Sequence, residues 1–450
     1  MIRIDVLPDD VLLEIFDFCM DMSQYGGKTK VEAWQLLVHV CRRWRSLVFG
    51  SPRRLNLRLF CTPKTPARDT LDVWPALPLL INGSITLSSG VDDIIVALEQ
   101  INHVCQVVLW GLAGRQLEKV LTAMQVPFPE LTWLRLFSDN ETPPVANSFL
   151  GGSAPHLRIF ELDGIPFPGL PKLLLSATQL VELFLYNIPH SGYISPDAMA
   201  ALLSALSSLK TLFLQFRSPQ SRPDWGSRRP PPLKRSVIPA LKYLTFKGVI
   251  EYSEDLVTYI DAPRLHGIHI AFFNQIDFDG PRLAQFISRT PMLHGYCDAH
   301  VQFDDGIAGI RLPSPLKGFA IEISCREPGW QLSSVAQVCN SCLPPLSMIE
   351  DLYINHRYSQ LVWKNDAIDN TLWLELLLPF PAVKNLYLSK DFAPGITAPL
   401  QEIVGIEVLP SLQNIFVEGL EPSGPFQENI GQFVAARELS GHPITISVWN

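Results

Sequence analysis

Charge is scarce in this chain. Asp, Glu, Lys and Arg make up 18% of its 450 residues against 47% hydrophobic residues, a balance that excludes a disordered, self-repelling polymer. Nor does any apolar run approach the roughly 18 residues that a bilayer-spanning helix needs, so no membrane partner is expected. A basic excess is also missing. The formal net charge is -8 and the pI about 5.7, which removes the positive field that sequence-independent binding to phosphate backbones requires; no nucleic acid partner is expected. The first residues, Met1-Ile2-Arg3-Ile4-Asp5, lack the basic and uninterrupted apolar regions of a secretory signal. The eight cysteines are therefore expected to be reduced, in a cytoplasmic or nuclear protein.

Catalytic signatures are absent too. No G-x-x-x-x-G-K-[ST], G-x-G-x-x-G or G-x-S-x-G stretch occurs, so neither a phosphate cradle nor a nucleophile elbow is available. Cys339-Asn340-Ser341-Cys342 is the one CxxC, and a structural zinc would need a second pair; two small apolar residues on a buried helix face is the better reading. His266 and His269 occupy outward positions of one strand pattern, with His294 and His300 in the next copy, but spacing sets no carboxylate beside them. No metal, cofactor or catalytic residue is assigned, and the chain is expected not to be an enzyme.

What is abundant is punctuation. Pro 38 and Gly 27 imply many short elements separated by turns. The pattern apolar-x-x-apolar-x-apolar recurs between residues 104 and 417: Val104-Val107-Leu109, Leu131-Leu134-Leu136, Leu157-Phe160-Leu162, Leu180-Leu183-Leu185, Leu209-Leu212-Leu214, Leu241-Leu244-Phe246 and Leu265-Ile268-Ile270. It continues at Leu316-Phe319-Ile321, Ile349-Leu352-Ile354, Val383-Leu386-Leu388 and Leu412-Ile415-Val417, with a weak copy at Leu293-Tyr296 that fails at Asp298. The steps run from about 23 to about 34 residues with a mean near 28, within the leucine-rich-repeat range. Segments such as Pro196–Leu206, Pro281–Arg289 and Gln331–Cys342 carry apolar residues at helical spacing between the strands. The expected fold class is α/β: a curved leucine-rich-repeat solenoid over 51–450, with a parallel sheet on its concave face and helices behind. An ordinary α/β domain with buried parallel strands is the competing reading.

Residues 217–235 break the rhythm as a basic, Pro-rich stretch, read as a mobile solvated insertion or, alternatively, as a docking or import patch. Residues 425–450 read as a C-terminal cap, an amphipathic helix followed by a last strand. Within the strands, the fifth and seventh pattern positions face away from the core. Phe184, Tyr186, Phe213, Tyr353, Tyr387 and Phe416 fall there, the aromatic anchor type that dominates protein interfaces, so they are the candidate substrate-binding residues. Mutual packing of these rings is the alternative.

Residues 1–50 lie outside the repeat. Pro8 suits a first helical position, with Asp9 and Asp10 in the positive first turn and Val11, Leu12, Ile15, Phe16 and Cys19 as an apolar face. After a polar connection, Trp34, Leu37, Val40, Cys41, Trp44, Leu47 and Val48 form a second apolar pattern with Arg42, Arg43 and Arg45 interspersed. So small a helical module buries little by itself and needs a partner surface, the adjoining array, or both.

Leu7-Pro8-Asp9-Asp10-Val11-Leu12-Leu13-Glu14-Ile15-Phe16 followed by Val40-Cys41-Arg42-Arg43-Trp44-Arg45-Ser46-Leu47 resembles an F-box, over about a tenth of the chain. The connection around Met20–Glu32 is longer than the family's usual spacer. The continuation through Gly50-Ser51-Pro52 and Val73-Trp74-Pro75 is similar to fungal F-box proteins that carry degenerate leucine-rich repeats. The resemblance implies the substrate-recognition subunit of a Skp-cullin-F-box ubiquitin ligase, a non-enzymatic member of the ubiquitin conjugation pathway. Its partners would be a Skp-type adaptor, a cullin reached through that adaptor, and an unidentified protein substrate. Leu7, Pro8, Leu12, Ile15, Val40, Cys41, Trp44 and Leu47 are the positions that the resemblance carries over as adaptor-binding. The alternative is a non-catalytic scaffold or inhibitor-like binding protein whose N-terminal helices only cap the array.

Overall fold

Pro8 and the acidic pair Asp9 and Asp10 begin helix α1 (Asp9–Met22), where the Leu12 amide donates to the Pro8 carbonyl at 3.0 Å. In the computed structural model, which describes residues 7–22, 33–63, 67–74, 76–84, 90–112, 114–138, 143–219, 235–273, 280–315, 318–356, 370–402, 408–419, 425–439 and 441–449, α1 is followed by α2 (Ala33–Val38) and α3 (Arg42–Gly50). Cys41 caps α3 from an extended conformation, its sulfur accepting from the Trp44 amide at 3.5 Å. Phe16 of α1 meets Trp44 of α3 with ring centroids 4.7 Å apart. Arg43 ties the start of α1 down, donating to the Leu7 carbonyl at 2.6 Å and to Asp9 at 2.5 Å.

Strands and helices then alternate: β1 (Leu59–Cys61), α4 (Ala67–Val73), β2 (Leu79–Ser84), α5 (Val91–Leu98), β3 (Val104–Trp110), α6 (Gly114–Ala123), β4 (Trp133–Phe137), β5 (Ile159–Asp163), α7 (Leu170–Leu174), β6 (Glu182–Ile188), α8 (Pro196–Ala205) and β7 (Thr211–Phe216). Next come β8 (Ser236–Val237), β9 (Tyr243–Gly248), α9 (Ile250–Tyr259), β10 (Ile260–Asp261), β11 (Gly267–Phe273), α10 (Pro281–Ser288), β12 (Asp298–Asp304), β13 (Ile307–Leu312) and β14 (Gly318–Ser324). The chain continues through α11 (Pro328–Ser341), β15 (Asp351–His356), α12 (Asn370–Leu377), β16 (Asn385–Leu388), α13 (Ala393–Glu402), β17 (Asn414–Glu418), α14 (Pro425–Leu439) and β18 (Thr445–Trp449). The last pair occupies the span read as a C-terminal cap. Of the basic stretch, residues 220–234 lie outside the described residues, as do 23–32 of the first helical connection and Leu316 of one repeat copy.

Among the described residues, 16 strands form one mixed, mostly parallel sheet in the order β1-β2-β3-β4-β5-β6-β7-β9-β11-β14-β13-β12-β15-β16-β17-β18, while β8 and β10 pair with each other outside it. The first, fourth and sixth pattern residues are buried in register from strand to strand, as in Leu134, Phe160, Leu183 and Leu212. They face helices that pack against one another in succession. On the opposite face most side chains are half-buried, with Leu80, Glu161 and Thr245 buried and Phe60 and Trp110 exposed. Burial on one side alone is what the triad pattern dictates, because period 2 along a strand sends every intervening residue to the other face.

An all-parallel sheet was expected, and the structure corrects this. After β11 the chain skips two places to β12, turns back through antiparallel β13, and returns as β14 beside β11. The hairpin loop is Asp305-Gly306, with Asp304 opposite Ile307 and Gly306 at a φ of 82°, a conformation glycine supplies without strain. The register expected for the weak copy is corrected with it: Tyr296, Ala299 and Val301 face the core, and Asp298 faces outward. The alternation of strands and helices also begins earlier than residue 104: Leu59 and Cys61 on β1 and Leu79 and Ile81 on β2 are buried, as are Leu57 and Leu77 just before each strand.

Neighbouring helices are latched by buried polar groups. The Glu254 carboxylate of α9 accepts from the Arg282 and Leu283 amides at 3.1 and 2.7 Å, capping α10 with the negative charge a helix start favours. Arg289, at the other end of α10, donates to the Val257 and Ile260 carbonyls and to Asp261. The N-terminal helices share the core. Trp34 is fully buried, its indole donates to the Arg58 carbonyl at 3.1 Å, and Trp74 packs edge-on at 5.0 Å.

Candidate functional site

Two surfaces carry the sequence-derived candidates. On the N-terminal helices, Leu12 is fully buried in the hydrophobic core, and Leu7, Trp44 and Leu47 are half-buried against that core. Pro8, Ile15, Val40 and Cys41 are exposed. Reasoning from sequence did not single out Phe18 or Leu36, which are 68% and 61% exposed. Val11, Ile15 and Phe18 lie at i, i+4 and i+7 of α1 and form an outward apolar stripe opposite buried Leu12 and Phe16.

The second surface is the open face of the sheet. Its central row, one residue per strand, runs Arg135, Glu161, Phe184 and Phe213 on β4 to β7, then Thr245 and His269 on β9 and β11. It continues through Ala320, Arg311 and His300 on the antiparallel insertion, then Tyr353, Tyr387 and Phe416 on β15 to β17. All six candidate substrate-binding residues lie on this face, in two separate groups.

In the first group Phe184 and Phe213 lie 4.9 Å apart, and Tyr186 stacks on Phe184 at 6.0 Å. Arg135 extends over Trp133 at 4.9 Å and pairs with Glu161 at 2.7 Å. That ion pair does not offset the burial of Glu161: desolvation lifts its carboxyl above the usual range, Arg135 pulls the other way, and Asp163 and Glu182 add to the rise. Tyr186 is pushed up to about 12, first by burial and then by the Glu161 charge.

In the second group His300, Tyr353, Tyr387 and Phe416 form a column, with successive centroids 4.4, 4.2 and 4.6 Å apart and planes within 8 to 10° of parallel. Trp449 closes on Tyr353 and Tyr387 edge-on. The ring faces therefore cover one another and the edges face outward, as in-register aromatic cross-strand pairs require. Burial lowers the His300 pKa, opposed by Asp298 and assisted by Arg311; Tyr353 is pushed up to about 12 mainly by burial. Beside the column runs a polar ladder: Asn385 donates to Asp351 at 2.7 Å, Asn414 donates to Asn385 at 2.7 Å, and the Thr445 hydroxyl donates to Asn414.

Between the groups the floor is bare. Gly267 and Ala271 on β11, Gly318 and Ala320 on β14, and Gly309 on β13 all lie on the open face. Glu322 stands among them, accepting from Arg311 at 2.8 Å and facing His269 at 3.4 Å. A cleft of about 440 Å³ opens there, walled by Phe213 and Tyr243 on one side and Arg311 and Pro313 on the other. Sequence reasoning missed it because the insertion brings Arg311 beside β14; an Asp-Gly pair between two alternating apolar runs was the available signal.

His266 and His269 share β11 and its approach, while His300 is separated from them by β14 and β13. Among the described residues, no group of three His, Cys, Asp or Glu side chains is arranged to hold a metal, and no helix is long and apolar enough to cross a membrane. Cys339 and Cys342 are buried thiols, and burial pushes the Cys339 pKa up. The sequence matches no protein-family model and has no significant match among curated proteins.

Proposed function

We propose that the chain is the substrate-recognition subunit of a Skp-cullin-F-box type ubiquitin ligase, in which the N-terminal helices hold a Skp-type adaptor. In this reading the sheet and its helices are a leucine-rich-repeat-like solenoid whose open face is concave and captures the target protein. The observation that carries the proposal is the outward apolar surface of a module whose inner face is already filled: Val11, Ile15, Phe18, Leu36 and Val40 are exposed although Leu12, Phe16, Trp34, Val38 and Val48 are buried. Large apolar side chains grouped on so small a module support a protein interface. The chain would then contribute binding and no chemistry, in the cytoplasm or nucleus, with a cullin recruited through the adaptor. Co-expression with a Skp-type adaptor tests this; co-purification in a stable complex is expected.

A second reading, a binding scaffold whose helices only cap the array, is favoured by one observation: Trp34 and Trp74 knit the helices into the core of the first layers. The end of a stacked array needs such a cover. Failure to bind any Skp-type adaptor would select this reading.

A further inference from the structure

We infer that the cleft over β9, β11, β14 and β13 is the specificity subsite of the open face, and that it takes an unmodified Asp or Glu side chain beside an apolar residue in an extended partner segment. The inference rests on the reading of this face as the target-binding surface. Charge and floor point to it together. No carboxylate lines the cleft among the described residues; its ionisable liners are Arg311 and His269 beside the Tyr243 ring. Among those residues the partner of Arg311 is Glu322, engaged through Nη2, and the arginine side chain remains 38% exposed. Guanidinium donors fit a planar carboxylate in two places at once, so an incoming acid has an open position.

The rim repeats the sign. Lys210 and Lys242 precede β7 and β9, held side by side because the Lys242 amide donates to the Lys210 carbonyl at 2.8 Å, and Arg264 is exposed before β11. On the adjoining rows the carboxylates include Asp163, Glu182, Asp298, Asp351 and Glu322, none of which lines the cleft. Among the described residues the one permanently charged liner of the cleft is Arg311, a cation in a chain of net charge -8, and a placed charge selects partners of the opposite sign. Gly267, Gly318 and Ala320 let a partner backbone approach the sheet closely, while Phe213 and Pro313 offer an apolar wall for the neighbouring side chain.

The test uses the full chain and degenerate peptide pools in which Leu is fixed beside one test position, occupied by Glu, Gln, phosphoserine or Lys. Wild type should retain the Glu pool about tenfold or more over the Gln pool, the scale of a charge-assisted hydrogen bond. Arg311→Gln should abolish that preference, Ala320→Leu should abolish retention by filling the floor, and Glu322→Gln should strengthen it by releasing Arg311. Thermal unfolding on each variant checks the fold, and the Glu-against-Gln comparison on wild type decides the matter without any variant. Equal retention of the two pools, retention of the phosphoserine pool alone, or a preference that survives Arg311→Gln overturns the inference. Because this readout needs no adaptor, a chain that selects the Glu pool yet binds no Skp-type adaptor keeps the inference and loses the ligase reading; the reverse result does the opposite.

Discussion

Removing Tyr387 tests whether the aromatic column is part of the fold or a row of waiting anchors. Its ring lies 4.2 Å from Tyr353 and 4.6 Å from Phe416 with planes nearly parallel, and Trp449 approaches at 5.7 Å. Each aromatic pair is worth about 0.5 to 1.5 kcal/mol beyond area burial, so two faces give about 1 to 3 kcal/mol. Burying roughly half of a large ring adds on the order of 1 kcal/mol. Tyr387→Ala should therefore lower unfolding free energy by about 2 to 4 kcal/mol, read by urea unfolding with tryptophan fluorescence, for which Trp449 is a local reporter. Tyr387→Phe, which keeps the stack, should cost under about 1 kcal/mol. In a double-mutant cycle with Tyr353→Ala the losses should fall short of additivity by about 0.5 to 1.5 kcal/mol. A Tyr387→Ala protein as stable as wild type would show that the rings do not support one another.

Glu254→Ala leaves two amides at the start of α10 without their acceptor and should cost about 1 to 3 kcal/mol, measured as a shift of the urea midpoint. Cys19, Cys41 and Cys297 are exposed, whereas Cys61, Cys325, Cys339 and Cys342 are buried and Cys61 is pushed up to about 11 by desolvation. A thiol reagent at pH 8 should accordingly label the first three rapidly and the other four only on unfolding; fast labelling of Cys339 would contradict the core packing. Burial raises the Glu161 pKa in the fold, so the folded chain holds that proton more tightly than the unfolded chain, and the group's contribution to stability is lost as pH rises from about 4 through the raised value. Glu161→Gln, neutral throughout, should gain on wild type as pH rises from about 4 to 7, and a stability difference independent of pH would refute the assignment.

Much of the sheet was legible because its signal is carried by large residues at fixed spacing: Leu134 and Leu136, like Leu183 and Leu185, alternate onto one buried face of a strand, with Leu131 and Leu180 buried in the turn just before it. The insertion was not. Its core positions include Ala299 and Ala308, whose small side chains score weakly in any apolar pattern, and Leu293, which belongs to the turn before β12, offered a false start. Strand order is a long-range property: nothing in residues 298–324 states that β14 rather than β12 pairs with β11. The six aromatic candidates were placed on the correct face by alternation, yet their stacking depends on register between strands, which local sequence does not carry. The cleft was illegible for the same reason, since Arg311 and His269 are 42 residues apart and meet through β14.

The measurement that bears most directly on the account is the affinity of the purified full chain for a purified Skp-type adaptor, by titration calorimetry, for wild type and for the double variant Ile15→Asp, Phe18→Asp. Both side chains project from the exposed stripe of α1, at 36% and 68% exposure, so the double variant should fold as wild type does. The wild type should form a saturable complex and the variant should lose affinity about a hundredfold or more, since two carboxylates would be desolvated in an apolar contact. A wild-type chain that releases no heat and shows no binding by an independent method, or a double variant that binds as tightly as wild type, would contradict it.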